Sequence, residues 1–184
     1  YAGSFTSKRN AEAVASVIRA TIADTSGIPV HFVIAARLRS RRERMLRDTA
    51  LNELPAEILD RVTVLETVRD MPRLIASCDM CVYPTVDLYQ KLDVPLVLLE
   101  AAAMQQLVVY SNIDGLCDLA KRGVGVAVNP EQWDEFADTV IMQLSADASH
   151  RHELGQQARM IVRQEFSFRQ FVAGHQHAYR GALS

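Results

Sequence analysis

The chain has 184 residues, 49% of them hydrophobic and 23% charged, enough for one domain with a full-sized core. Its 20 Lys and Arg against 22 Asp and Glu leave a formal net charge of −2, without the basic excess of a nucleic-acid-binding domain. No uncharged apolar run approaches the ~18 residues of a membrane span, and no signal-peptide pattern is present. Cys78, Cys81 and Cys117 cannot all pair and lack metal-ligand spacing. The flanks of Cys78 and Cys81 read as a buried strand, which favours inert core thiols over redox or metal chemistry and points to a reducing, cytoplasmic compartment. The chain opens at Tyr1 inside a strand pattern, so it is expected to be part of a longer protein.

Short apolar runs rich in β-branched residues fall at 1–5, 30–36, 62–66, 80–83, 107–110 and 124–128. Most are continuously apolar, as in a parallel sheet covered on both faces by helices. Between the first two, Val14, Val17, Ile18, Thr21 and Ile22 form a helical stripe that stops before Gly27 and Pro29. A charged helix is expected over 41–51, a short one over 72–77, and a buried one rich in Ala and Leu over 96–105. Beyond the sixth strand the period becomes helical for good. Asn129 can cap a helix with Pro130 at its first position, and Trp133, Phe136, Ala137, Val140, Ile141 and Leu144 then recur at helical spacing. Another helix spans about 148–165, and Ser167 with Gln170 fits the capping-box spacing of a last one. The pattern predicts a single α/β domain over 1–184, with a doubly wound, mainly parallel six-stranded sheet and three C-terminal helices.

In such sheets ligands bind beyond the carboxyl ends of the strands. The first loop there, Gly3-Ser4-Phe5-Thr6-Ser7-Lys8-Arg9-Asn10, runs into a helix whose free N–H groups favour anions. It reads as a phosphate site or as an ordinary turn with two solvated cations, since neither a P-loop nor a complete Gly-x-Gly-x-x-Gly is present. Glu100 lies in a helix too hydrophobic to sit on the surface, so it needs donors such as ribose hydroxyls, a backbone turn or an arginine. Pro95 suits that helix's first turn and leaves its N–H groups aimed into the loop. Arg37, Arg39, Arg41, Arg42, Arg44 and Arg47 cluster within eleven residues. They read as a solvated face with Glu43–Arg47 and Arg44–Asp48 pairs, or as a surface for a membrane, a polyphosphate or a partner domain. The pairs His150/His152 and His175/His177 diverge on a helix and cannot chelate one metal, and Trp133 sits on a core stripe.

Taken in order, these segments resemble the C-terminal domain of the group 1 (family 4) glycosyltransferases, which have two Rossmann-like domains. Tyr1-Ala2-Gly3-Ser4-Phe5 with Arg9-Asn10 resembles the family's opening strand and its Gly-Arg-Leu-x-x-x-Lys-Gly loop. Asp60-Arg61-Val62-Thr63-Val64-Leu65 resembles a D-R-V-x-F strand, and residues 75–85 resemble the run that ends in Pro-Ser. Leu96-Val97-Leu98-Leu99-Glu100-Ala101-Ala102-Ala103 matches the second half of the E-x7-E signature, while 123–130 and Glu165-Phe166-Ser167-Phe168 match later segments. The family's loop arginine falls at Ser4, its lysine at Arg9, and the first signature glutamate at Leu92, with Asp93 beside it as a substitute.

The resemblance implies a donor-binding half that takes a UDP- or GDP-linked sugar and transfers the sugar with retention, without a metal or other cofactor. It implies Gly3, Ser4, Arg9, Thr67, Val68, Lys91, Asp93, Val94 and Glu100 as donor-binding residues. Arg9 and Lys91 would meet the diphosphate, Glu100 the ribose, and Thr67 and Val68 the base. No catalytic residue is expected in this domain, because the acceptor site would belong to an N-terminal domain. The fragment alone is therefore expected to be inactive. Its partners would be the nucleotide-sugar, that missing domain and, peripherally, a membrane face or lipid-linked acceptor. The alternative is a degenerate glycosyltransferase-like domain kept for binding or scaffolding.

Overall fold

The computed structural model describes residues 1–24, 27–88 and 94–182. The chain begins extended beside β1 (Phe32–Ala35): the Tyr1 amine donates to Val33 O at 2.9 Å, Ala35 N to Tyr1 O at 2.8 Å, and Gly3 N to Ala35 O at 3.1 Å. The expected first strand over 1–5 shrinks to a single parallel bridge between Ala2 and Ala35. The Tyr1 hydroxyl donates to Ser4 O at 3.2 Å, with its ring over Gly3, where a Cβ would lie 2.3 Å from that hydroxyl.

The chain then alternates: α1 (Lys8–Asp24), β1, α2 (Arg41–Asn52), α3 (Ala56–Leu59), β2 (Val62–Leu65), α4 (Met71–Ala76), β3 (Met80–Tyr83), α5 (Leu96–Ala103), β4 (Leu107–Ser111), α6 (Cys117–Lys121) and β5 (Val126–Val128). Three helices follow, α7 (Trp133–Ser145), α8 (Ala148–Glu165) and α9 (Phe168–Ala182). The described residues thus hold five strands rather than six, all parallel, in two hydrogen-bonded groups: β1-β2 and β3-β4-β5. Tyr1 bridges the groups, stacked on Tyr83 of β3 with ring centroids 5.6 Å apart.

The period-2 alternation of strand side chains divides the core into two. Val82, Val109 and Val128 join Ile18, Ile34 and Phe136 on the face covered by α1 and α7. Cys81, Tyr83, Val108 and Tyr110 join Leu98, Leu119 and Val162 on the face covered by α5 and α8. All five residues of β4 are buried, the reason its sequence shows no polar alternation. Gly125, at φ 77°, lets the chain into β5 pass so close to β4 that a Cβ there would lie 2.3 Å from the Val108 carbonyl oxygen.

Ser167 caps α9 as expected, accepting from Gln170 N at 3.4 Å. The helix expected from Pro130 instead starts at Trp133, because Glu131 adopts φ 67°, outside the helical region. Phe168, Phe171 and Tyr179 of α9 are exposed. No helix among the described residues is long and apolar enough to cross a membrane.

Candidate functional site

The strand order reverses between the opening segment and β3, the position of the ligand-binding crevice in open α/β sheets. A small cleft of about 10 Å³ lies between them, lined by Tyr1, Tyr83, Ser4, Thr6, Asn10, Thr85 and Asp87. Burial holds the Tyr1 phenol far above its usual pKa and pushes that of Tyr83 up to about 12. Both phenols are neutral near pH 7, so they do not repel an anion.

Asn10 holds the two walls together from the first turn of α1. Its Oδ1 accepts from Val86 N at 2.9 Å and lies 2.9 Å from the Thr85 hydroxyl. Its Nδ2 donates to Asp87 O at 3.3 Å and to Asp87 Oδ1 at 3.2 Å. Thr85 N in turn donates to the buried Ser111 hydroxyl at the end of β4, at 2.9 Å. Ser7 caps α1 by accepting from Asn10 N at 3.2 Å. One network therefore fixes the N-terminus of α1, the loop after β3 and the end of β4 relative to one another.

Arg9, next along α1, is exposed and ion-paired to Glu131 on the loop after β5. A wider groove of about 720 Å³ runs between α1 and α7, but Asp24, Glu131, Asp134 and Glu135 line it beside Arg19. That excess of carboxylates disfavours a diphosphate.

The glycosyl transferases group 1 family model matches residues 1–146. The chain belongs to the group 1 glycosyl transferases. Among solved structures it is similar to the C-terminal domain of a group 1 family glycosyl transferase (LpcC) from Francisella tularensis. That match has 18% identity and a TM-score of 0.65, over 87% of this chain and 82% of that one. It is also similar to an S. aureus TarM variant in complex with Fondaparinux, alpha-GlcNAc-glycerol and UDP, at 12% identity and TM-score 0.73, over 96% of this chain and 34% of that one. An alpha,alpha-trehalose-phosphate synthase (UDP-forming) from Burkholderia vietnamiensis aligns at 15% identity and TM-score 0.75, over 100% of this chain and 44% of that one. The chain thus spans less than half the length of the latter two. No curated protein matches it.

On this group 1 domain Ser4 lines the cleft, whereas Gly3 and Arg9 do not, Arg9 being turned onto Glu131. Thr67 and Val68 lie on the loop leaving β2, which is separated from the opening segment by β1, and they do not line the cleft. Val94 packs on the core beneath α5 and α8. Lys91, Asp93 and Leu92 fall outside the described residues. Glu100 corrects the expectation of burial: it is exposed, on the side of α5 that also leaves Leu96 70% exposed. Leu98, Ala101 and Ala102 take the buried side. Average hydrophobicity had hidden that this helix has an open face.

The arginine cluster also pairs differently from the sequence expectation. Arg44 and Arg47 both donate to Glu66 at the end of β2, at 2.9 and 2.8 Å, and Arg47 to Asp48 at 2.7 Å. The hydrogen bond from Arg47 leads the interactions that hold the Glu66 carboxyl below its usual range. All three cysteines are free thiols, and burial raises the Cys81 pKa and keeps it protonated and unreactive. Among the described residues no group of His, Cys, Asp and Glu could hold a metal ion.

Asn10, Thr85, Ser111 and Glu131 carry the geometry; the sequence placed them on the candidate loops without giving them roles. Asn10 had a signal: it lies four residues before Val14, on the buried face of α1, where a polar side chain needs partners. Glu131 had none in the local pattern, since its partner is 122 residues away. Were a nucleotide diphosphate to bind beside Arg9, Glu131→Gln, which frees Arg9, would tighten it severalfold at low ionic strength, an advantage that shrinks at 0.5 M salt. Titration calorimetry at the two salt concentrations checks both parts.

Proposed function

We propose that this chain is the donor-binding half of a glycosyltransferase, receiving a UDP- or GDP-linked sugar in the cleft between the opening loop and the loop after β3. One observation carries the reading: the cleft sits at the parting of the strands in a group 1 domain, beside the α1 N-terminus and Arg9. Helix N–H groups and a guanidinium favour a diphosphate there. The UDP in the TarM structure and the UDP-forming synthase are consistent with a nucleotide partner.

The reaction of the whole protein would be transfer of the sugar from the nucleoside diphosphate to an acceptor, with retention at the anomeric carbon. Positioning, and stabilisation of the departing diphosphate by Arg9 and the α1 N-terminus, would supply the rate. Ser4 and Gly3 would border the phosphates and Glu100 the ribose, and Lys91, Asp93 and Val94 would be further donor contacts. Thr67 and Val68 would meet only a base that extends across β1. The acceptor site would lie on a further domain, so the chain alone should bind donor without turnover, in the cytoplasm or at the inner membrane face.

The Arg9–Glu131 pair favours a second reading, a domain that keeps the fold and has lost the donor. Calorimetric titration with UDP and GDP separates the two. Binding by either nucleotide that Glu100→Ala weakens about tenfold, about 1.4 kcal/mol, supports the donor reading. No binding by either at about 5 mM, where affinity would fall below about 3 kcal/mol, supports the degenerate one.

A further inference from the structure

The loops leaving β1 and β2 run side by side: Ala35 pairs with Leu65, and Ala36 N donates to Leu65 O at 2.9 Å. Arg37 follows directly on the first loop, and Thr67, Val68 and Arg69 lie on the second. Both arginines are exposed, and neither guanidinium has a hydrogen-bond or ion-pair partner among the described residues. The carboxylates around them are engaged. Glu66 takes Arg44 and Arg47, and Asp70 caps α4 by accepting from Arg73 N at 3.0 Å. The free charged groups of this edge therefore donate hydrogen bonds and accept none.

Apolar surface lies beside these donors. Val68 is half-buried yet belongs to neither core cluster, and Leu38 packs on the core with part of its side chain open. Neighbouring strands stand about 4.8 Å apart, so the loop after β2 is about 10 Å from the opening segment, across β1. A nucleoside spans that distance. With the diphosphate at the start of α1, the base reaches the edge that holds Arg37, Val68 and Arg69.

We propose that this edge selects guanine as the base of the donor, with Arg37 and Arg69 as the specificity-determining residues. The inference rests on the donor reading above, which supplies the diphosphate anchor. Guanine presents two adjacent acceptors, O6 and N7, that match a guanidinium fork. Adenine sets an amine beside N7, donor against donor. Uracil offers a carbonyl beside N3–H, so a fork there finds one acceptor instead of two. A purine also covers more of Val68 and Leu38 than a pyrimidine does, which adds apolar burial to the same preference.

Calorimetric titration of the 184-residue chain with GDP, IDP, ADP and UDP tests this. GDP should bind at least about tenfold more tightly than ADP or UDP. IDP keeps O6 and N7 and lacks only the 2-amine, so it should stay within about twofold of GDP. Arg37→Lys/Arg69→Lys keeps both charges and removes the forks. That variant should lose most of the GDP preference and leave UDP affinity within about twofold. ADP or UDP binding as tightly as GDP overturns this inference alone and leaves the donor reading standing. So does a lysine variant that keeps the full GDP preference, or one that weakens all four nucleotides equally. Loss of affinity on going from GDP to IDP would place recognition on the amine edge and overturn it as well. Binding by none of the four at about 5 mM removes the donor reading, and this inference with it.

Discussion

Gly125→Ala should cost about 3 kcal/mol of folding stability. The φ of 77° is one source, since a left-handed backbone costs an alanine about 1–2 kcal/mol. The other is the 2.3 Å approach of the new Cβ to Val108 O and Cγ2, an overpacking of about 1–3 kcal/mol. The neighbour is backbone of the central, fully buried β4, so it has nowhere to retreat. Urea denaturation should show a lower midpoint with an unchanged slope. Gly174→Ala is the control: a Cβ there meets nothing within 4 Å, and in a helix interior alanine should gain about 0.5–1 kcal/mol. Equal stability of the two variants would contradict the close passage of β5 over β4.

Asn10→Ala should cost about 2–4 kcal/mol and weaken UDP binding on the order of tenfold. The residue is 9% exposed, and its removal strands Val86 N and alters the bonding of Thr85 and Asp87 at once. Each buried group left unpaired costs about 1–3 kcal/mol. Loss of affinity follows because the α1 N-terminus and the loop after β3 no longer share an anchor. Thr85→Val removes the hydroxyl at near-constant shape, and a double-mutant cycle with Asn10→Ala should return a coupling of about 0.5–3 kcal/mol. Additive effects would mean that Asn10 and Thr85 act separately and that no network spans the cleft.

The fold was largely legible because burial on both faces writes itself into continuous apolar runs, and β1 to β5 match the expected segments, β4 running one residue further to Ser111. What was not legible depended on contacts distant in sequence or on single dihedral angles. The opening strand is reduced to a single bridge at Ala2, and the start of α7 moved because Glu131 takes a left-handed conformation. The arginine cluster looked self-sufficient through i,i+4 pairing, yet Glu66, on the neighbouring strand, provides a better receptor for two of its members. At the site, periodicity located the loops but not their partners. Arg9 could be recognised as a cation at a helix start, while the carboxylate that holds it comes from the far edge of the sheet. Glu100 shows the opposite error: a hydrophobic neighbourhood in sequence became an open helix face in space.

The central claim is that the cleft between the opening loop and the loop after β3 receives the donor diphosphate, and a crystal structure of the chain with UDP tests it most directly. The account predicts the diphosphate at the N-terminus of α1, within hydrogen-bond reach of Ser4 or Arg9, with Arg9 turned away from Glu131. A nucleotide seated elsewhere, in the groove between α1 and α7 beside Trp133, with the Asn10 cleft unchanged and Arg9 still on Glu131, would contradict it.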